Sequence, residues 1–203
     1  MTKPTVYVVY YSTYGHVKII ADSIVEGLKN TDLVDVKLCQ FQETLSVEIL
    51  EKMHAPAKDS EVPIFTLDDL SKGDAFLFGF PTRFGTMPAQ VKTFWDSTGG
   101  LWASGALQGK MAGLFFSTAS QGGGQETTAL TFLTTLVHHG MIYVPMGYTH
   151  QNLFGVDEVV GGSAYGAGTV ATSTGARMPS DKEKEIAVNQ GDRFAKTVSQ
   201  YHN

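Results

Sequence analysis

The sequence predicts an α/β fold: a three-layer sandwich with a five-stranded parallel sheet, order 2-1-3-4-5, between two layers of helices. Three observations carry this. Short apolar, β-rich runs alternate with segments of helical periodicity along the whole chain. The third such run, Ala75-Phe76-Leu77-Phe78-Gly79-Phe80, is continuously apolar, which suits a strand covered on both faces. Loops rich in glycine and hydroxyls follow the first, third and fourth strands, where open α/β sheets hold ligands, outside the carboxyl ends and at the switch point. At 203 residues the chain is expected to form one domain over 1–203, long enough to bury a sizeable core.

The elements follow in order. Residues 5–11 are β-branched and aromatic, a buried strand. Val17, Ile20, Ala21, Ile24 and Leu28 share one face of a helix over 16–29. Val34, Val36 and Leu38 alternate with Asp35, Lys37 and Cys39, giving the second strand. Residues 46–53 suit a short helix, and 55–63 a polar connection bounded by proline. After the third strand at 75–80, residues 88–97 read as a helix opening with proline in its first turn. Residues 110–117 form the fourth strand, 126–139 a helix and 141–145 the fifth strand. The closing helix spans 181–201, capped by Ser180 or Asp181. Residues 161–180 carry little secondary structure. A stretch of that length is usually functional or interfacial, and Tyr165 and Arg177 are its candidate contact residues.

Composition excludes several classes. The formal charge is −5 with no basic run, which argues against nucleic acid as a partner. A single cysteine, Cys39, excludes an internal disulfide and fits a reducing, cytoplasmic setting. Met1-Thr2-Lys3-Pro4 leads directly into the first strand, so no signal peptide is expected, and no run is long enough for an integral membrane segment. Peripheral association at a membrane surface stays open. His138-His139-Gly140 reads as a helix end, with histidines on the C-terminal dipole and glycine as the left-handed cap. Adjacent helical residues point about 100° apart, so the pair can hardly share an ion, and no metal is assigned.

The loops suggest a ligand. Ser12-Thr13-Tyr14-Gly15-His16-Val17 joins a strand to a helix start, where outward N–H groups and the helix dipole favour an anion. The alternative is an ordinary capped turn. Neither a P-loop nor a G-x-G-x-x-G is present, and hydroxyls with amides suit one monophosphate better than a pyrophosphate. Pro81-Thr82-Arg83-Phe84-Gly85 offers an aromatic platform in Phe84, polar edge contacts and one cation, which suits a flat heteroaromatic ring. Ser117-Thr118-Ala119-Ser120-Gln121-Gly122 and two further glycines let backbone lie against a ligand. Trp102, in a glycine-rich segment, can stack on a planar substrate or serve as a core or interface residue.

Taken with Gly99-Gly100-Leu101-Trp102-Ala103-Ser104-Gly105, His138-His139-Gly140-Met141 and Gly161-Gly162-Ser163-Ala164-Tyr165-Gly166-Ala167-Gly168-Thr169, these motifs resemble the WrbA family of flavodoxin-like NAD(P)H:quinone oxidoreductases, its fungal members above all. The resemblance covers nearly the whole chain. It implies FMN, with NADH or NADPH as co-substrate, a quinone as substrate, and a homo-oligomer, a tetramer built as a dimer of dimers. Two-electron reduction would pass as hydride through flavin N5 in a ping-pong cycle, with a role in quinone and oxidative stress. Catalytic side chains are not implied, because the flavin carries the chemistry. The resemblance gives Ser12 to Val17 the phosphate, sets Pro81 to Gly85 about the ring, and has Ser117 to Gly122 border it. His138 would contact the flavin from a neighbouring subunit, Tyr14 the nicotinamide and Trp102 the quinone. One departure stands out: Ala119-Ser120-Gln121 replaces the family's Gly-Thr, so that loop is one residue longer. An electron carrier or FMN-binding regulator with little turnover is the alternative reading.

Overall fold

The computed structural model describes residues 2–202. Five strand positions form a parallel sheet in the expected order: β2 (Asp35–Gln40), β1 (Thr5–Tyr10), β3 (Ala75–Pro81), β4 (Met111–Thr118) and β5 (Ile142–Tyr143). Side chains alternate across the pleat. Val6, Val8 and Tyr10 of β1 point to one face, where they meet α1 (His16–Asn30) and α7 (Asp181–His202). Tyr7, Val9 and Tyr11 point to the other, covered by α3 (Leu67–Lys72), α4 (Ala89–Asp96) and α6 (Gln125–His138). That second face is strongly aromatic, with Phe76 and Phe78 stacked at 5.5 Å and Trp95 edge-on to Phe78 at 5.4 Å. Two further short helices are α2 (Val47–Lys52), which buries none of its residues, and α5 (Gly99–Ser104).

On the first face α1 and α7 approach backbone to backbone. A Cβ on Gly191 would lie 2.2 Å from the Ile24 carbonyl oxygen, and one on Gly27 only 2.0 Å from that of Val188. Glycine at both places lets the two helices close on each other, and this contact seats α1 against the sheet so that its N-terminus faces the carboxyl end.

The sheet departs from expectation at its fifth position. Only Ile142 and Tyr143 pair there as a strand, beside Met111 and Ala112. The chain then leaves the edge and returns as β6 (Gly168–Val170), which pairs with Phe116, Ser117 and Thr118 further along the same strand. The fifth strand is thus interrupted, and its second half lies within the 161–180 stretch read from sequence as nearly devoid of secondary structure. The reason is tertiary. Three residues in a glycine-rich run carry no local strand signal, but a free edge on β4 gives their backbone groups partners. Residues 67–72 and 99–104, not expected to be helical, form α3 and α5. α3 is too short to show periodicity, yet Thr66 and Asp69 form a reciprocal capping box. α7 opens the same way, its Glu183 N–H donating to Ser180 Oγ and the Ser180 N–H to Glu183 Oε2, which selects Ser180 as the cap. Cys39 is a buried strand residue, and burial pushes its thiol up to about 11. No helix among the described residues is long and apolar enough to cross a membrane.

Candidate functional site

A cleft of about 430 Å³ opens at the carboxyl end of the sheet, within the range of small-molecule sites. The loop after β1 forms its floor. Gly15 stands at φ 91, a left-handed cap with no side-chain bond into the helix, and the first intrahelical bond runs from Ile19 N–H to Gly15 O at 3.1 Å. The N–H groups of His16, Val17 and Lys18 therefore lie outside the helical ladder, and an anion can take them. Ser12 Oγ accepts from Gly15 N–H at 3.0 Å, which leaves its own proton to donate. Lys18, the first cation of α1, pairs with Asp22 at 2.8 Å.

The loop after β3 makes a second wall. Arg83 and Thr86 exchange backbone bonds around Phe84 at φ 55 and Gly85 at φ 82, a type I′ turn. Thr82 Oγ1 accepts from Thr128 Oγ1 at 2.7 Å and Gly85 O from Thr131 Oγ1 at 3.1 Å, so the turn is tied to α6. Arg83 lines the cleft and donates to Thr82 O at 2.9 Å and Thr13 Oγ1 at 3.4 Å, joining the two loops. Phe84 is a bulky residue at positive φ and is fully exposed, at 104%. Such strain, of order 1–3 kcal/mol, concentrates at functional sites. Phe84→Asn should accordingly raise the melting temperature by about 2–4 °C, a relief of about 1 kcal/mol. Ligand affinity should fall at the same time if the ring is the platform; unchanged melting would show that the turn holds no strain.

The loop after β4 contributes Ser117, Thr118 and Ala119 to the cleft. Its longer stretch folds back on itself, with Thr118 Oγ1 donating to Ser120 O at 2.7 Å and Gly123 N–H to the same oxygen at 3.0 Å. Gln121 and Gly122 line a neighbouring cavity instead, beside Gly161 and Gly162. Part of the loop thus lies away from the cleft.

A polar network supports the floor from behind. The Glu43 carboxylate accepts from Tyr11 OH at 2.9 Å, Gln90 Nε2 at 2.8 Å and Leu45 N–H at 3.1 Å, and pairs with Lys58 at 3.1 Å. Lys58 also donates to Ser12 O at 2.7 Å. Burial alone would raise the Glu43 carboxyl, but these donors outweigh it and hold it down at about 2. Burial, with Glu43 opposite, pushes the Tyr11 phenol up to about 12, so Tyr11 stays a donor. A depressed folded-state value contributes stability above the unfolded carboxylate range near 4.3, and that contribution is lost as pH falls toward 2. Glu43→Gln should cost about 2 kcal/mol at pH 7. The gap from wild type should close as melts are taken down to pH 2; a gap constant with pH would exclude the charge as its cause.

Several residues expected at the site lie elsewhere in the chain. Gly15, Phe84, Gly85 and Ser120 are not in the lining, although Gly15 lies between Tyr14 and His16 and Phe84 and Gly85 adjoin Arg83. Tyr14 lines the cleft, with its hydroxyl bonded to Met53 O at 3.0 Å. Trp102, on α5, is 59% exposed and outside the cleft. His138 ends α6 on the surface, while His139 turns inward to Thr98 Oγ1 at 2.9 Å, so the two histidines diverge as helical geometry requires. Tyr165 accepts the Tyr143 hydroxyl through its backbone, and Arg177 forms an internal clamp to Glu183 at 2.9 Å. Conversely, residues 171–175, directly after β6, line the cleft and were not singled out. Their only signal was a Thr-Ser-Thr-Gly cluster in a long stretch; the missing information was that β6 ends beside β4.

The flavodoxin family model matches residues 8–140. Quinone-oxidoreductase QR2 of Triphysaria versicolor is 58% identical over 187 residues, covering 92% of this chain and 91% of that protein. NAD(P)H quinone oxidoreductase PST1 of Candida albicans is 51% identical over 198 residues, covering 98% and 99%. Among solved structures, a flavodoxin, WrbA-like protein from Agrobacterium tumefaciens shares the fold with a TM-score of 0.68 over 98% of this chain and 99% of that one, at 24% identity. Sheet order, the family match over residues 8–140 and half-identity over nearly the full length agree: the chain belongs to the flavodoxin family.

Proposed function

We propose that the protein is an FMN-dependent oxidoreductase that reduces quinones with NADH or NADPH. The observation that carries the reading is the cleft at the sheet's carboxyl end, with helix N–H groups and hydroxyls at its floor and Arg83 on its wall, in a chain half-identical to named quinone oxidoreductases. The residues fit the group. The left-handed Gly15 cap and the first turn of α1 suit a phosphate monoester, and no carboxylate among the described residues lines the cleft to repel it. Bound flavin accepts hydride from a nicotinamide and passes two electrons to a quinone. Ser12, Thr13 and the 16–18 N–H groups hold the phosphate, Thr82 and Ser117 meet the ring edge, and Arg83 supplies positive charge beside it. No side-chain nucleophile is required.

Assembly completes the site in this reading. Trp102 and Val137 are exposed apolar groups at 59% and 72%, and His138, which follows Val137, is exposed too. In a tetramer built as a dimer of dimers, Trp102 and His138 reach a neighbouring protomer's cleft. Light scattering should give four times the 22.0 kDa chain mass. Trp102→Ala should raise the quinone KM about tenfold with flavin content unchanged, as expected for losing one well-packed aromatic contact. Unchanged quinone kinetics would remove Trp102 from the site.

The deciding assay is NAD(P)H oxidation by FMN-loaded protein, with and without benzoquinone, followed by absorbance. Rapid turnover dependent on quinone is the expected result. Flavin bound without turnover would overturn the enzyme reading in favour of an electron carrier.

A further inference from the structure

We infer that the turn at residues 172–175 is part of the binding site for the cofactor's phosphate end, so that the phosphate monoester sits between the N-terminus of α1 and this turn. The inference rests on the FMN reading above. No motif expected from the sequence includes these residues; the interrupted fifth strand brings them in.

Three observations carry it. First, the turn lines the same cleft as Ser12, Thr13 and His16. Second, the turn and the floor are physically joined through His16, the first residue of α1. His16 is 6% exposed, and its Nε2 lies 3.0 Å from Gly175 O. A carbonyl only accepts, so Nε2 carries the proton. The other ring nitrogen, Nδ1, makes no hydrogen bond among the described residues, although the side chain is more than nine-tenths buried and lines the cleft. In this tautomer Nδ1 accepts and can take a hydroxyl or water hydrogen at the floor, while the His16 backbone N–H, outside the helical ladder, is the donor that a phosphate oxygen meets.

Third, the turn is held in place before any ligand arrives. Thr172 and Gly175 take left-handed conformations at φ 68 and 71, and Gly175 N–H closes on Thr172 O at 3.2 Å. Beyond them, Arg177 Nη1 donates to Val170 O at 2.7 Å and to the fully buried Glu183, and Arg177 N–H to Ala171 O at 3.2 Å. Both ends of the turn are thereby anchored to β6 and α7.

The chemistry agrees. A phosphate monoester presents three acceptor oxygens and up to two negative charges. The 12–17 loop has only two small hydroxyls, Ser12 and Thr13, and the Tyr14 hydroxyl is bonded to Met53 O. Thr172, Ser173 and Thr174 add three more at the facing wall, and Ser173 Oγ has no protein partner among the described residues.

The test combines Thr172→Gly, Ser173→Ala and Thr174→Ala on an exposed turn, where glycine also suits the positive φ. Apoprotein is titrated with FMN and with riboflavin by fluorescence quenching. The expected result is an FMN Kd raised about tenfold with riboflavin affinity unchanged, the size of one hydrogen bond to a charged group. The ³¹P resonance of bound FMN should shift as well. FMN affinity within twofold of wild type, or equal losses for FMN and riboflavin, would overturn the assignment. If the combined variant melts early, Ser173→Ala alone must show the same FMN-selective loss at two- to threefold. Wild-type protein that binds no FMN would overturn the cofactor reading and this inference with it, whereas FMN binding insensitive to the turn overturns the turn's role alone.

Discussion

Gly191→Ala should lower the stability of the protein by about 3 kcal/mol, although alanine is the better helix former. The opposing magnitudes decide the sign. Alanine gains about 1 kcal/mol over glycine inside a helix. Against that, the new Cβ would stand 2.2 Å from the Ile24 carbonyl oxygen and 2.9 Å from the Leu28 nitrogen. Both atoms are backbone, so no rotamer change relieves the contact, and α1 and α7 must move apart by about 1 Å. A gap of that size forfeits a quarter to a half of each dispersion contact along the seam. The seam holds Ile20, Ile24, Leu28, Ile186, Ala187, Phe194, Ala195 and Val198, all buried. Overpacking of this kind costs 1–3 kcal/mol and more where backbone is involved.

For a chain of this length a 3 kcal/mol loss corresponds to about 6–12 °C in melting temperature. Gly27→Ala should behave alike, its Cβ standing 2.0 Å from Val188 O. The double variant should cost less than the sum, because helices already separated by one methyl admit the second more easily. Strict additivity would show that the two contacts yield independently and that the seam does not shift as a unit. Since α1 also presents its first turn to the cleft, affinity for the proposed cofactor FMN should weaken in the same variants.

How much of this was legible in the sequence depended on whether a signal was local. The run at 75–80 is short, aromatic and continuously apolar, the local composition of a buried strand, and it appears as β3. The amphipathic stripe of Val17, Ile20, Ala21, Ile24 and Leu28 is the buried face of α1. The three loops at the carboxyl ends were likewise readable, because hydroxyls and glycines cluster directly after apolar runs. The failures share one cause. Gly168, Thr169 and Val170 are a strand only because β4 offers an edge beyond Ile142 and Tyr143. The turn after them reaches the cleft only because of that pairing. Gln121 and Gly122 line the neighbouring cavity, beyond the point where Thr118 Oγ1 closes on Ser120 O. In each case the deciding partner lies outside the segment or in its exact closure. The capping boxes are the exception: Thr66 with Asp69, and Ser180 with Glu183, are spaced as local signals and could have placed α3 and fixed the start of α7.

Glu183→Ala should be the most damaging single change to the wall formed by β6 and its turn. The Glu183 side chain is fully buried and accepts from six donor contacts: Gly161 N–H at 2.8 Å, Val170 N–H at 3.2 Å, Ser180 N–H at 2.8 Å, Thr169 Oγ1 at 2.9 Å, and Arg177 Nη1 at 3.0 and 2.9 Å. Removing the carboxylate leaves the partly buried Arg177 guanidinium and several N–H groups without their acceptor at once. Breaking a buried ion pair from one side costs 3–5 kcal/mol, here about 6–20 °C in melting temperature. The loss should also be local. Residues 159–177 have Glu183 and Arg177 as their common anchor, so hydrogen exchange there should accelerate more than in β1 or β3, to which Glu183 makes no hydrogen bond among the described residues. Arg177→Lys separates charge from geometry: it keeps the ion pair but loses the fork that joins Glu183, Val170 O and Val159 O. It should cost about 2 kcal/mol and loosen the same segment. If exchange rises evenly over the whole sheet in Glu183→Ala, the carboxylate supports the global fold and not this wall in particular; if it rises only in residues 159–177, the turn beside His16 owes its position to a charge buried beneath it.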